Sequence, residues 1–116
     1  MNDSGYEDPN LFLYLANIYK SKGSEEKTVK FLKRALEMKP DDPNIYFNLG
    51  TIYFKRNEYE ISISYYLQGI NYDPKNAFAY SNLAGCYEEI LDYRNAVDCY
   101  KKAFFLNKNL LQIREK

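Results

Sequence analysis

Apolar residues recur along this chain in steps of three and four. Near its middle, Tyr46, Leu49 and Tyr53 fall on one helix face, and Ile63, Tyr66 and Ile70 mark a second run of the same kind. Between the two runs stands KRNEY, residues 55–59, a short polar turn with Asn57 at its centre. The matching stretch near the start is KSKGSEE, with Gly23. Glycine and asparagine accept the left-handed backbone that often ends a helix. DDP (41–43) and YDPKN (72–76) break one pair of runs from the next, because proline suits a first helical turn and disrupts an interior one. The pattern predicts pairs of helices joined by tight turns.

Displaced by 34 residues, the sequence matches itself. NIYFNLGTIYFKRNEYEISISYYLQGINYDP, from Asn44, is answered by FAYSNLAGCYEEILDYRNAVDCYKKAFFLNK, from Phe78. A weaker copy, NLFLYLANIYKSKGSEEKTVKFLKRALEMKP, starts at Asn10. The frames are 9–42, 43–76 and 77–110, without insertions. Three positions per frame stay small: Ala16, Thr28 and Ala35; Gly50, Ser62 and Gly69; Ala84, Ala96 and Ala103. Small residues let two helix backbones approach, while Leu15, Tyr19, Leu49, Tyr53, Leu83 and Tyr87 fill the space beside them. Glycine costs a helix roughly 1 kcal/mol relative to alanine, so Gly50 and Gly69 point to places where bulk would clash.

In spacing, helix pairing and residue pattern, the chain resembles the tetratricopeptide repeat. That family's pattern is an aromatic, Leu-Gly, Tyr, Ala, an aromatic, Ala and Pro. The second frame carries it as Tyr46, Leu49-Gly50, Tyr53, Ser62, Tyr66, Gly69 and Pro74. The first has Phe12, Leu15-Ala16, Tyr19, Thr28, Leu32, Ala35 and Pro40, and the third has Tyr80, Leu83-Ala84, Tyr87, Ala96, Tyr100 and Ala103. The resemblance spans residues 9–110 and implies an all-α fold, a right-handed α-solenoid of three antiparallel helix-turn-helix repeats. Two residues depart from it. Leu91 stands where Gly23 or Asn57 makes the turn, which predicts a strained or reshaped third turn. Lys108 replaces the closing Pro40 or Pro74, leaving the last helix free to run on through Asn109, Leu110, Leu111 and Ile113.

The ends are treated separately. Residues 1–8, MNDSGYED, read as a flexible acidic tail, with Ser4 or Asp8 to cap the first helix. Residues 111–116 read as an extension of the last helix or as the start of a missing capping or fourth unit. A repeat array needs a polar-faced terminal element. The apolar C-terminal end therefore points to a longer array or to homo-oligomer formation through that face.

Composition narrows the chemistry. Among 116 residues, Lys plus Arg and Asp plus Glu both number 16, and this zero net charge argues against a nucleic-acid backbone as partner. No apolar run reaches the length of a membrane span and no leader is seen, so the expected compartment is cytoplasmic or nuclear. There is no histidine, and Cys86 and Cys99 lack metal-ligand spacing. Both cysteines read as small buried hydrophobes. No Gly-rich phosphate loop or nucleophile elbow occurs. These residues predict no catalysis, no cofactor and no metal. Lys27, Lys30, Lys33 and Arg34 crowd one helix and read as a solvated outer face rather than a phosphate or membrane site.

The resemblance implies that the first helix of each repeat lines a concave groove, where extended or helical segments of other proteins lie. Its positions here are Tyr14 and Asn17 in the first frame, then Phe47, Asn48, Thr51, Phe54 and Lys55 in the second. The third frame adds Phe78, Asn82 and Glu89. Asn17, Asn48 and Asn82 can donate and accept at once, which suits the backbone of an extended peptide. Tyr14, Phe47, Phe54 and Phe78 supply apolar pockets or pad the helix contacts. Lys20 and Lys55 lie toward one end and Glu88 and Glu89 toward the other, an arrangement that would orient a charged peptide. Tyr46, Tyr53 and Tyr59 recur as Tyr80, Tyr87 and Tyr93 and read as core, whereas Phe47 and Phe54 do not recur and read as the binding stripe. Some family members clamp the C-terminal carboxylate of chaperones with two asparagines and basic residues. Asn17 and Asn48 match those asparagines, but Leu13, Phe78 and Asn82 occupy the basic positions and leave such a carboxylate uncompensated. The expected role is a non-catalytic interaction module or scaffold. The alternatives are the substrate-recruiting arm of a larger enzyme, for example a glycosyltransferase-like protein, and a self-associating element.

Overall fold

A computed structural model describes residues 8–115, with side chains described as far as Lys108. Six helices follow one another: α1 (Pro9–Ser21), α2 (Glu25–Met38), α3 (Pro43–Lys55), α4 (Tyr59–Tyr72), α5 (Ala77–Glu89) and α6 (Tyr93–Glu115). They form three antiparallel hairpins stacked as a right-handed solenoid, and the described residues contain no strand.

Each hairpin starts on a side-chain cap. Asp8 accepts from the Asn10 N–H at 2.9 Å, Asp42 from the Asn44 N–H at 3.0 Å, and Asn76 from the Ala79 N–H at 3.0 Å. These caps satisfy donors that a helix start leaves unpaired, and Pro9 and Pro43 follow where no donor is needed. Asp8 thus takes the capping role; the other candidate, Ser4, and the rest of the lead-in up to residue 7 lie outside the described residues.

The turn inside each hairpin has one geometry. The N–H of Ser24, Glu58 and Asp92 reaches back to the carbonyls of Tyr19, Tyr53 and Tyr87 at 2.8–2.9 Å. One residue earlier, the N–H of Gly23, Asn57 and Leu91 reaches Lys20, Phe54 and Glu88. This paired closure requires a left-handed residue, and φ is +81° at Gly23, +64° at Asn57 and +65° at Leu91. The third turn is therefore not reshaped: Leu91 adopts the strained conformation that its sequence position demands.

All nine small positions are buried. A methyl group added at Gly50 would come within 3.0 Å of the Tyr66 ring, and the Ser62 hydroxyl donates to the Gly50 carbonyl at 2.6 Å. The core divides into two clusters. The first joins Phe12, Ala16, Leu32 and Ala35 of one hairpin to Ile45, Leu49, Ile52 and Tyr53 of the next. The second joins Tyr66 to Leu83, Ala84, Cys86 and Cys99. The first two hairpins each bury their second helix by means of the first helix that follows, as repeat stacking requires.

The basic helix α2 has a local explanation. Lys27 sits 4.9 Å from the Tyr19 ring centre, Lys30 5.9 Å from Phe31, Lys33 5.8 Å from Tyr53 and Arg34 4.9 Å from Phe12. The cations lie over aromatic faces with their heads toward water. At the other end, α6 runs for 23 residues where α2 and α4 run for 14, so the loss of the closing proline does let the helix continue.

Candidate peptide-binding groove

Two clefts open along the first helices of the hairpins, α1, α3 and α5. The cleft between α1 and α3 encloses about 250 Å³. Leu13, Ala16 and Ile45 floor it, and Asn17, Lys20, Asn48 and Lys55 rim it. No Cα of α1 comes within 8 Å of one of α3, so side chains alone close the base of this cleft. Asn17 and Asn48 are exposed, and neither side chain hydrogen bonds to another described residue.

The cleft between α3 and α5 differs. Here the helices touch, and Thr51, Phe54, Tyr66, Asn82, Gly85 and Tyr100 line a shallower space of about 320 Å³. The Thr51 hydroxyl donates to the Phe47 carbonyl at 3.0 Å, which leaves its oxygen to accept from the Tyr66 hydroxyl at 2.7 Å. Burial pushes the Tyr66 pKa up, and the bond to Thr51 opposes that shift. At the far rim, the Tyr100 hydroxyl donates to Glu88 at 2.7 Å. Gly85 leaves open the space that Thr51 and Asn17 fill one and two repeats earlier.

The sequence-predicted site residues separate in this geometry. Asn17, Asn48, Thr51 and Lys55 converge on the first cleft, and Thr51, Phe54 and Asn82 on the second. Tyr14 and Phe78 are 66% and 76% exposed and line neither cleft. Glu89 is exposed at the end of α5. Phe47 is the correction. It is half-buried, stacks on Tyr66 with ring centres 6.2 Å apart, and lies so close to Gly69 that an added methyl there would overlap the ring. Phe47 therefore packs the hairpin and lines neither cleft, while Phe54 keeps one edge on Tyr59 and another face to the groove. Tyr59 is half-buried rather than core, its hydroxyl donating to Asn57 at 2.8 Å.

Sequence reasoning gave little weight to Lys20, which rims the first cleft beside Asn17; its place opposite Lys55 was the available signal. Among the described residues, no cluster of three or more His, Cys, Asp or Glu could hold a metal, and no helix is long and apolar enough to cross a membrane. Cys86 and Cys99 are free and buried, and burial pushes both thiols up and keeps them protonated.

Three stacked helical hairpins closed by turns of one geometry define a helical-repeat fold. The chain belongs to the tetratricopeptide repeat family: a TPR repeat model matches residues 16–56, and a tetratricopeptide repeat model matches 43–76 and 79–109. No curated protein matches the sequence. Among solved structures, the crystal structure of MamA superposes with a TM-score of 0.86 at 21% identity, covering 91% of this chain and 62% of MamA. The chain thus spans about three fifths of that protein's length. The first TPR of Spaghetti (RPAP3), bound to HSP90 peptide SRMEEVD, superposes at 0.81 with 17% identity, covering 92% of this chain and 83% of its own. The Arabidopsis OM64 TPR domain gives 0.78 at 18%, covering 84% and 81%. At these identities the likeness establishes the fold.

Proposed function

We propose that this chain is a non-catalytic interaction module that holds an extended segment of a partner protein along α1, α3 and α5. The observation that carries the proposal is the open cleft between α1 and α3, rimmed by two amides with no partner among the described residues. An amide offers a donor and an acceptor together, which matches the alternating groups of a peptide backbone. The RPAP3 domain, similar in fold, is bound to HSP90 peptide SRMEEVD in its structure, which agrees with this use of the fold. Replacing Asn48 and Asn82 by alanine together should lower partner capture roughly thirtyfold, at about 1 kcal/mol for each lost bond, while helicity stays the same. Unchanged capture from the source cells would show that the groove is not the binding surface.

A second reading rests on α6. Tyr93, Val97, Tyr100 and Phe104 are 41–67% exposed and form one apolar stripe at helical spacing. Association of two copies through this stripe would make the sedimentation mass rise with concentration, and a Phe104→Glu variant would remain monomeric.

A further inference from the structure

We propose that the cleft between α1 and α3 selects an internal acidic side chain of the bound segment, which Lys20 and Lys55 pair with while Asn17 and Asn48 hold its backbone; this rests on the groove reading above. Lys20 and Lys55 are exposed at the ends of α1 and α3 and rim the same cleft. Neither lies in an ion pair or over an aromatic ring among the described residues. The carboxylates at this cleft are already engaged. Glu25 pairs with Arg56 at 2.9 Å, and Asp42 caps the Asn44 N–H and lies 3.9 Å from Lys39. The uncompensated charge of the cleft is therefore positive, in a chain whose net charge is zero.

Helix stability alone does not explain these lysines. Cations in a last turn favour the helix dipole, and Lys20 and Lys55 both sit there. Yet α5 carries Glu88 and Glu89 in its own last turn, against the same dipole. The sign of charge thus changes along the groove from the first two repeats to the third. A uniformly anionic polymer would be attracted at one end and repelled at the other. A segment with one acidic residue or a short acidic run over α1 and α3, and none over α5, satisfies both. Neighbouring helices lie about 10 Å apart, or roughly three residues of extended chain at about 3.3 Å each, so the acidic preference should stop within that distance.

A random linear peptide library, displayed with each peptide fused at its C-terminus so that no free carboxylate is offered, tests this directly against the full chain. Selected peptides are expected to carry Asp or Glu at one fixed position. Affinity should fall at least tenfold for Lys20→Ala with Lys55→Ala, and the selected charge should reverse for Lys20→Glu with Lys55→Glu. Both lysines are exposed, and circular dichroism will verify that the variants remain folded. Selected peptides without an acidic excess, or with one yet indifferent to the lysine pair, overturn the inference. If such peptides still weaken with Asn17→Ala and Asn48→Ala, the groove reading survives alone. Peptides indifferent to both pairs, or a library with no binder, overturn both. Displacement of the selected peptide by a single-stranded DNA oligomer, as strong as by free peptide, would assign the cleft to polyanions instead.

Discussion

Helices α4 and α6 carry the same pattern one repeat apart, yet their apolar faces meet different surroundings. Tyr66 is 2% exposed and its counterpart Tyr100 is 41% exposed. Ile63 and Ile70 are half-buried, whereas Val97 and Phe104 stand in water. The distinction lies in the neighbour: α5 covers α4, and no described residue covers the same face of α6. Tyr66 also gains a hydroxyl partner on α3, while Tyr100 binds Glu88 at the rim. Burial in this molecule is a property of the junction between repeats rather than of the repeat motif. One residue type at one motif position can hold the fold together or merely decorate it.

The largest test of that comparison is truncation of the two tyrosines. Tyr66→Ala should cost about 3–5 kcal/mol, as for other buried aromatics, and Tyr100→Ala less than about 1 kcal/mol. Urea unfolding at constant slope would measure both, and equal losses would remove the distinction. Next in size is the close contact inside the second hairpin. Gly69→Ala should destabilise by about 1–3 kcal/mol through overlap with the Phe47 ring, although alanine is native at the equivalent positions 35 and 103. Adding Phe47→Leu should recover most of the loss, and a coupling near zero in the double-mutant cycle would mean that the ring simply moves aside. The smallest effect concerns the turns. Leu91→Gly should stabilise the chain by about 1 kcal/mol, since a left-handed leucine costs about 1–2 kcal/mol and glycine's unfolded entropy takes part of that back. Asn57→Leu should act in the opposite sense, and thermal melts of the pair would show shifts of a few degrees in opposite directions.

Most of the architecture was legible because the interval of 34 fixes where small residues, turns and caps must stand. Asp8, Asp42 and Asn76 each precede a first helix, and Gly23, Asn57 and Leu91 each end one in the left-handed region. The groove positions of Asn17, Asn48 and Asn82 came instead from the resemblance to the family. Phe47 was not legible, since its position on α3 lies between the groove and α4, and helical periodicity leaves either side open. The decisive clue was non-local: glycine, not alanine, at position 69. The lysines of α2 were also ambiguous, because a cation over a ring and a cation in a phosphate site have the same one-dimensional pattern.

Phe47 against Gly69, Tyr66 against Thr51 and Ser62 against Gly50 all join α3 to α4 within residues 43–72. A chimera that kept α3 but took its partner from another repeat would bring Ala35 or Ala103 onto the Phe47 ring. Moved together, the two helices would carry their mutual fit with them. The hairpin is therefore the smallest interchangeable cassette of this array, and recombination between repeats should yield folded chains only when the crossover falls in the loops between hairpins.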